Sequence, residues 1–189
     1  MAKTDEFVKQ LGNQIDFVKY VRDLEQSNNL NILSDFLKTP NNKRYLSVKN
    51  GPTKIVDFRH FFAAMMTTTQ GRGGFSRQTV GNTLLLGVAN ELAQCTSEIK
   101  AKKINSCFSN EDLGSNKLGA DFGEILTIAR AENSKETVAN LLDRYLTKLQ
   151  PLAVENKNKL EVNTNSSIIK QLVLAIIVGI EDNLIGKAY

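Results

Sequence analysis

A chain of 189 residues, 41% apolar and 23% charged, holds enough material for one hydrophobic core and is too apolar for a disordered chain. Its formal charge of +4 is spread along the whole length, densest at Lys43, Arg44, Lys49 and Lys54 and again at Lys100, Lys102 and Lys103; scattered charge of this kind reads as a solvated surface, not a nucleic-acid groove. One histidine and two cysteines, Cys95 and Cys107, fall short of the four Cys or His ligands of a closed zinc site, and reduced thiols are the plainer reading of the pair.

The N-terminus M-A-K-T-D-E-F-V-K-Q carries charges where a signal peptide has its apolar region, so the expected location is cytoplasmic as synthesised, with any export by a signal-peptide-independent route. Residues 5–26 place Phe7, Val8, Leu11, Ile15, Val18 and Val21 near helical spacing and predict a first amphipathic helix. Asn28 or Asn29 caps a second, N-I-L-S-D-F-L-K, which Pro40 closes. An Asn50-Gly51-Pro52 turn between Y-L-S-V and K-I-V predicts one short β-hairpin near residues 44–56.

Asp57 is placed to cap a third helix that carries His60, Phe61, Ala64 and Met65 on one face. The glycine-rich G-R-G-G-F, residues 71–75, then leads to a long helix from Ser76 to about residue 100. Ser109 or Asn110 starts the next, with Glu111 and Asp112 in the first turn, where the helix dipole favours negative charge. Ser134 with Thr137 opens a sixth helix that stops at Pro151, and Ser166 or Ser167 caps a last, apolar one. Within it, residues 168–180 contain Lys170 and Gln171 and fall short of the roughly 20 residues a bilayer span requires. The expected fold is therefore all-α, a single-domain bundle of six or seven helices over residues 1–189 with one short hairpin; residues 1–39 could alternatively form an N-terminal helical arm.

Three segments put polar residues at helical spacing among small ones. His60 lies three residues after Asp57; Asn90 and Glu91 interrupt an apolar helix with Gly87 one turn earlier; Asp112 and Asn116 are one turn apart, followed by Gly119 and Gly123 at the same spacing. Glycines so placed let a second backbone approach closely, at a cost of roughly 1 kcal/mol each against alanine. If the three segments pack together, one imidazole and two or three carboxylates meet in a partly dry pocket suited to general acid and base work, with Glu91 as the raised-pKa group and Asp112 ionised. The same His, Glu and Asp could instead hold one catalytic metal with an open position. Against this stand plainer roles: His60 as a tolerated packing residue, Glu91 as a solvent-reaching or ion-paired side chain, Asp112 and Asn116 as helix caps, and Met65 and Met66 as core. G-R-G-G lacks the Gly-Lys-Ser/Thr of a phosphate loop, though Arg72 could clamp an anion; no cofactor is expected, and no Gly-x-Ser-x-Gly elbow supports a serine nucleophile.

The stretches D-F-R-H-F, G-N-T-L-L-L-G-V-A-N-E-L and E-D-L-G-S-N-K-L-G-A-D-F-G, within residues 57–123, resemble a loose pattern in uncharacterised bacterial helical domains and in cargo domains of polymorphic toxins. The resemblance implies His60, Glu91, Asp112 and Asn116 as site positions. Together with the three polar segments it points to a small bacterial effector-type hydrolase acting on a cell-wall glycan or peptide, with Asn116 positioning substrate. The alternative is a non-enzymatic helical interaction protein of immunity or adaptor type, binding a protein partner through an exposed apolar face along residues 5–26 or 168–180.

Overall fold

The computed structural model describes residues 8–27, 32–38, 43–70, 77–100 and 110–153, without the side chains of 33–35, 91–100 and 110. Helices dominate these segments, with a single antiparallel hairpin, as the patterning predicts. In chain order they are α1 (Gln14–Gln26), α2 (Ile32–Lys38), β1 (Tyr45–Ser47), β2 (Ile55–Asp57), α3 (Phe58–Gln70), α4 (Val80–Lys100), α5 (Asn110–Ala131) and α6 (Val138–Lys148). The glycine-rich loop 71–75, Cys107 and the apolar run 168–180 lie outside the described residues, as does the side chain of Cys95.

The first helix expected over residues 5–26 is interrupted: residues 8–9 are helical, but the chain leaves the helix at Leu11 and resumes it at Gln14. The backbone N–H of Gly12 donates to the carbonyl of Tyr45 at 2.8 Å and Leu11 bridges to Tyr45, so residues 11–13 run extended along the hairpin. Asn13 then starts α1, its N–H donating to the Asp16 carboxylate at 2.7 Å, half of a capping box. Leu11 is buried by the hairpin and not by a helix face, and Ile15 points to solvent, 74% exposed. The helix is nonetheless part of the core: Phe17 stacks on Phe58 with ring centroids 3.6 Å apart, and Glu25 accepts from the backbone N–H groups of Val138 and Ala139 at the start of α6. It does not form a separate arm.

The hairpin pairs Tyr45 with Asp57, Leu46 with Val56 and Ser47 with Ile55, and Gly51 in its turn takes φ +120°, a conformation open to glycine and strained for other residues. On its other side Val48 bridges to Pro151, and Ser47 accepts from the N–H of Leu152, so the chain after α6 returns to the hairpin.

Strand β2 passes into α3 with no intervening loop: Asp57 ends the strand, and its Oδ1 accepts the N–H of Arg59 at 3.0 Å, capping the helix. Helix α3 is the spine of the core. Phe58, Phe61, Phe62 and Met65 are buried among Phe17, Phe36, Phe122 and Leu142, with Phe61 stacked on Phe122 at 5.7 Å.

The approach of α5 to α3 depends on two glycines. A Cβ at Gly119 would fall 2.1 Å from the Phe61 carbonyl oxygen, and one at Gly123 would fall 2.8 Å from that of Met65. The sequence spacing of these glycines thus corresponds to a direct backbone-on-backbone seam. On its flank, α4 packs Val80, Leu84 and Val88 against Ala64 and Ala120, and Thr68 and Thr83 share a buried hydroxyl hydrogen bond of 3.0 Å. No helix among the described residues is long and apolar enough to cross a membrane.

Candidate functional site

At one end of the α3–α5 seam the apolar packing gives way to a polar cluster. His60 is the third residue of α3 and Asp112 the third of α5. Their side chains meet, with Nε2 of the imidazole 3.2 Å from Oδ1 of the carboxylate. Asp57, one turn before His60, completes the group: one ligand-type atom from each of Asp57, His60 and Asp112 lies within 4.8 Å of the other two.

Asp57 is wholly buried, and its acceptors are extensively used. Arg44 Nε donates to both carboxylate oxygens at 3.0 and 2.9 Å, while Arg44 Nη2 donates to Oδ2. Arg59 adds its backbone N–H to Oδ1, and its Nη2 stands 3.7 Å from Oδ2. From α5, the hydroxyl of Ser115 accepts the Asp57 N–H at 2.8 Å, tying the strand–helix junction to the helix that carries Asp112. Burial raises the Asp57 carboxyl above its ordinary value, opposed by the positive charges of Arg44 and His60.

Tyr45 lies along the same cluster. Its ring receives the Arg44 guanidinium at 4.6 Å, and its phenol is pushed up first by burial and then by the charges of Asp57, Asp112 and Glu111, with Arg44 opposing. It is a neutral hydroxyl at any ordinary pH. Asp57 is wholly buried, Tyr45 is half-buried, and the side chains of His60 and Asp112 remain 18% and 10% exposed.

Asn116 is buried one turn after Asp112, its amide in the α4–α5 seam, where a Cβ on Gly87 would come within 2.8 Å of Nδ2. Leu84 and Val88 of α4 and Ala120 of α5 belong to one buried cluster beside it. The side chain of Glu91 itself lies outside the described residues.

The structure thus unites His60 and Asp112, adds Asp57, and sets Asn116 against α4. Arg44 and Ser115 are the partners that sequence reasoning missed. Arg44 reads as one more member of a basic loop, and nothing in its neighbourhood marks it as the partner of a residue 13 positions away. Ser115 had a weak signal, because it falls in the same small-residue stripe as Gly119 and Gly123.

Asp57 and Asp112 approach more closely than the roughly 5–9.5 Å of paired-carboxylate glycoside hydrolysis, and Asp57 is sealed from solvent, so these two aspartates do not form that kind of pair. The chemistry open to the cluster is proton transfer or cation binding at His60 and Asp112. Comparison of the chain with protein-family models, with curated proteins and with solved structures gives no significant match.

Proposed function

We propose that the chain is a small hydrolase of bacterial effector type whose water-activating centre is His60 with Asp112. The observation that carries this reading is the 3.2 Å approach of Nε2 to Oδ1, which joins the start of α3 to the start of α5. A carboxylate against one imidazole nitrogen orients the ring, and a general acid or base must be held in place. Arg44, Asp57 and Ser115 hold the two helix starts together and do not meet substrate. Asn116 follows Asp112 by one turn on α5, and the sequence resemblance, which includes Glu91, suggests a cell-wall glycan or peptide as substrate.

The test is hydrolysis of soluble peptidoglycan fragments, glycan and peptide bonds scored separately, by the wild-type chain and by His60→Gln and Asp112→Asn. Each substitution should lower the rate by about 10²–10⁴-fold while the melting temperature changes little. Variants that keep full activity, or that both unfold, defeat the proposal; a wild type inert on every fragment but retaining a tight protein partner would favour the immunity or adaptor reading.

A further inference from the structure

We propose that Asn50 and Gly51, in the hairpin turn, are a site of spontaneous covalent modification. The side-chain amide of Asn50 is lost through a cyclic imide formed with the backbone nitrogen of Gly51, leaving isoaspartate or aspartate at position 50. This is the one Asn-Gly pair in the sequence. The inference is separate from the reading of His60 and Asp112.

Three features of the turn carry it. Asn50 and Gly51 are both exposed, so water has access to the reacting groups. The N–H groups of Lys49 and Asn50 are held by the Leu149 carbonyl at 3.2 and 3.0 Å, whereas that of Gly51 donates to nothing among the described residues. The nitrogen that has to attack therefore has no hydrogen bond to break. Residue 51 also lacks a side chain beside that nitrogen, which leaves the approach to Asn50 Cγ open. Charge acts in the same direction. The attacking species is the deprotonated amide nitrogen, and the ammonium of Lys54, which donates to the Lys49 carbonyl, stands next to the turn.

In the first step the Gly51 nitrogen bonds to Asn50 Cγ and closes a five-membered ring. The bond from Cγ to Nδ2 breaks, and the amide leaves as ammonia with the proton that the Gly51 nitrogen gave up. Water then opens the ring at one of its two carbonyls. Attack at Cγ releases the Gly51 nitrogen from the side chain and gives aspartate on an ordinary backbone. Attack at the Asn50 backbone carbonyl breaks the original peptide bond and leaves the chain running through Cγ, as isoaspartate. One water is consumed and one ammonia released, with no change of oxidation state.

The two products differ in what they do to the fold. Aspartate adds a negative charge close to Lys49 and Lys54 and leaves the turn as it is. Isoaspartate inserts one backbone carbon between two fixed sets of contacts: the Lys49 and Asn50 bonds to Leu149 at the end of α6, and the Val48 N–H bond to the Lys54 carbonyl at 3.0 Å. One set has to shift, so this product loosens the tie between the hairpin and α6.

The test is prolonged incubation of the folded full-length chain in warm, mildly alkaline buffer, followed by peptide mapping with mass spectrometry. An isoaspartyl methyltransferase with labelled S-adenosylmethionine marks the isoaspartate. The peptide that holds Asn50 should gain one mass unit and split into two products, ahead of every other asparagine peptide, and more slowly in acidic buffer. Asn50→Gln, which would need a six-membered ring, should abolish that mass gain. Gly51→Ala is unsuitable as a control, because φ +120° strains an alanine. The purified isoaspartyl form should melt below an Asn50→Asp variant, which should melt as the wild type does. A position 50 that stays intact while other asparagines react, or that reacts only when the chain is unfolded in urea, overturns the proposal. An isoaspartyl form as stable as Asn50→Asp overturns the loosening of the α6 contact.

Discussion

Replacing Gly119 with alanine perturbs the contact that brings His60 to Asp112 without touching either residue. The new Cβ would stand 2.1 Å from the Phe61 carbonyl oxygen and 2.8 Å from that residue's carbonyl carbon and Cα, against about 3.4 Å for ordinary contact. Helix α3 cannot relieve this by turning a side chain, because the obstructing atoms are backbone, so α3 and α5 must part locally by about 1.3 Å. Alanine recovers about 1 kcal/mol of helix propensity. Forced overpacking costs about 1–3 kcal/mol or more, and loosening the Phe61–Phe122 stack about 0.5–1.5 kcal/mol. The clash wins, for a net loss of roughly 1–3 kcal/mol and a fall in Tm of roughly 3–10 °C. Gly123→Ala, with its nearest obstruction at 2.8 Å, should have the same effect in smaller measure. Thermal and urea unfolding of both variants read the stability. A double-mutant cycle between His60→Gln and Asp112→Asn, measured in each background, reads the site: the coupling present in the wild type should collapse once Gly119 is alanine. A Gly119→Ala variant as stable as the wild type, with that coupling intact, would refute the close-approach argument.

Two further substitutions address the supports. Asp57→Asn replaces one of the oxygens that accept from Arg44 and the Arg59 N–H with an amide NH2 that cannot accept, and should lower the unfolding free energy at acidic pH by about 1–2 kcal/mol. Its pH dependence has a definite sign: burial raises the folded Asp57 carboxyl above its ordinary 3.8, so the native chain holds that proton more tightly than the unfolded chain. The resulting stability is complete below pH 3.8 and fades as pH rises through the raised value. The advantage of wild type over Asp57→Asn in urea unfolding should therefore shrink as pH rises above about 4; an advantage that grows would mean that Arg44, not burial, governs the charge. Glu25→Ala removes the carboxylate that accepts from Val138 and Ala139 at 2.6 and 3.1 Å. It should cost about 1–2 kcal/mol and speed amide exchange selectively in the first turn of α6, whereas uniform acceleration across the chain would assign Glu25 a global role.

Much of the helical framework was legible because its signals are local. The Asn-Gly-Pro turn, the Thr137 cap and the stop at Pro151 each act within a few residues, and the hairpin and α6 follow them. The start of α1 was not legible. Leu11 and Ile15 both satisfy a helical period, but Leu11 is buried by pairing with Tyr45, 34 residues later, and Gly12 is spent on the same strand. A period of 3.6 cannot reveal that a buried residue is covered by a distant hairpin.

The site was legible in part for the same reason. Gly119 and Gly123, one turn apart, announce a close helix contact, and the residues one and two turns before Gly119 on that face are Asn116 and Asp112. What spacing could not supply was the partner helix or the Arg44–Asp57 pair, which depends on the hairpin register that sets Tyr45 opposite Asp57.

The distribution of polarity along the seam bears on why the cluster exists. From Gly119 onward α5 meets α3 through Phe122 and Leu126, against Phe61 and Met65, an apolar interface of the kind that stabilises a bundle. At the other end the same two helices bury Asp57, Asp112 and Ser115 and enclose most of His60. Buried ion pairs contribute little net stability, and apolar residues of similar volume often do as well or better. A seam shaped by stability alone would continue its phenylalanines and leucines to the end. Two helix N-termini also converge there, each favouring negative charge beside it, which suits carboxylates that face an imidazole nitrogen. That arrangement costs stability unless the groups are used, and Gly119→Ala, which separates the helices but leaves every polar residue in the chain, measures how closely that use depends on the 3.2 Å approach.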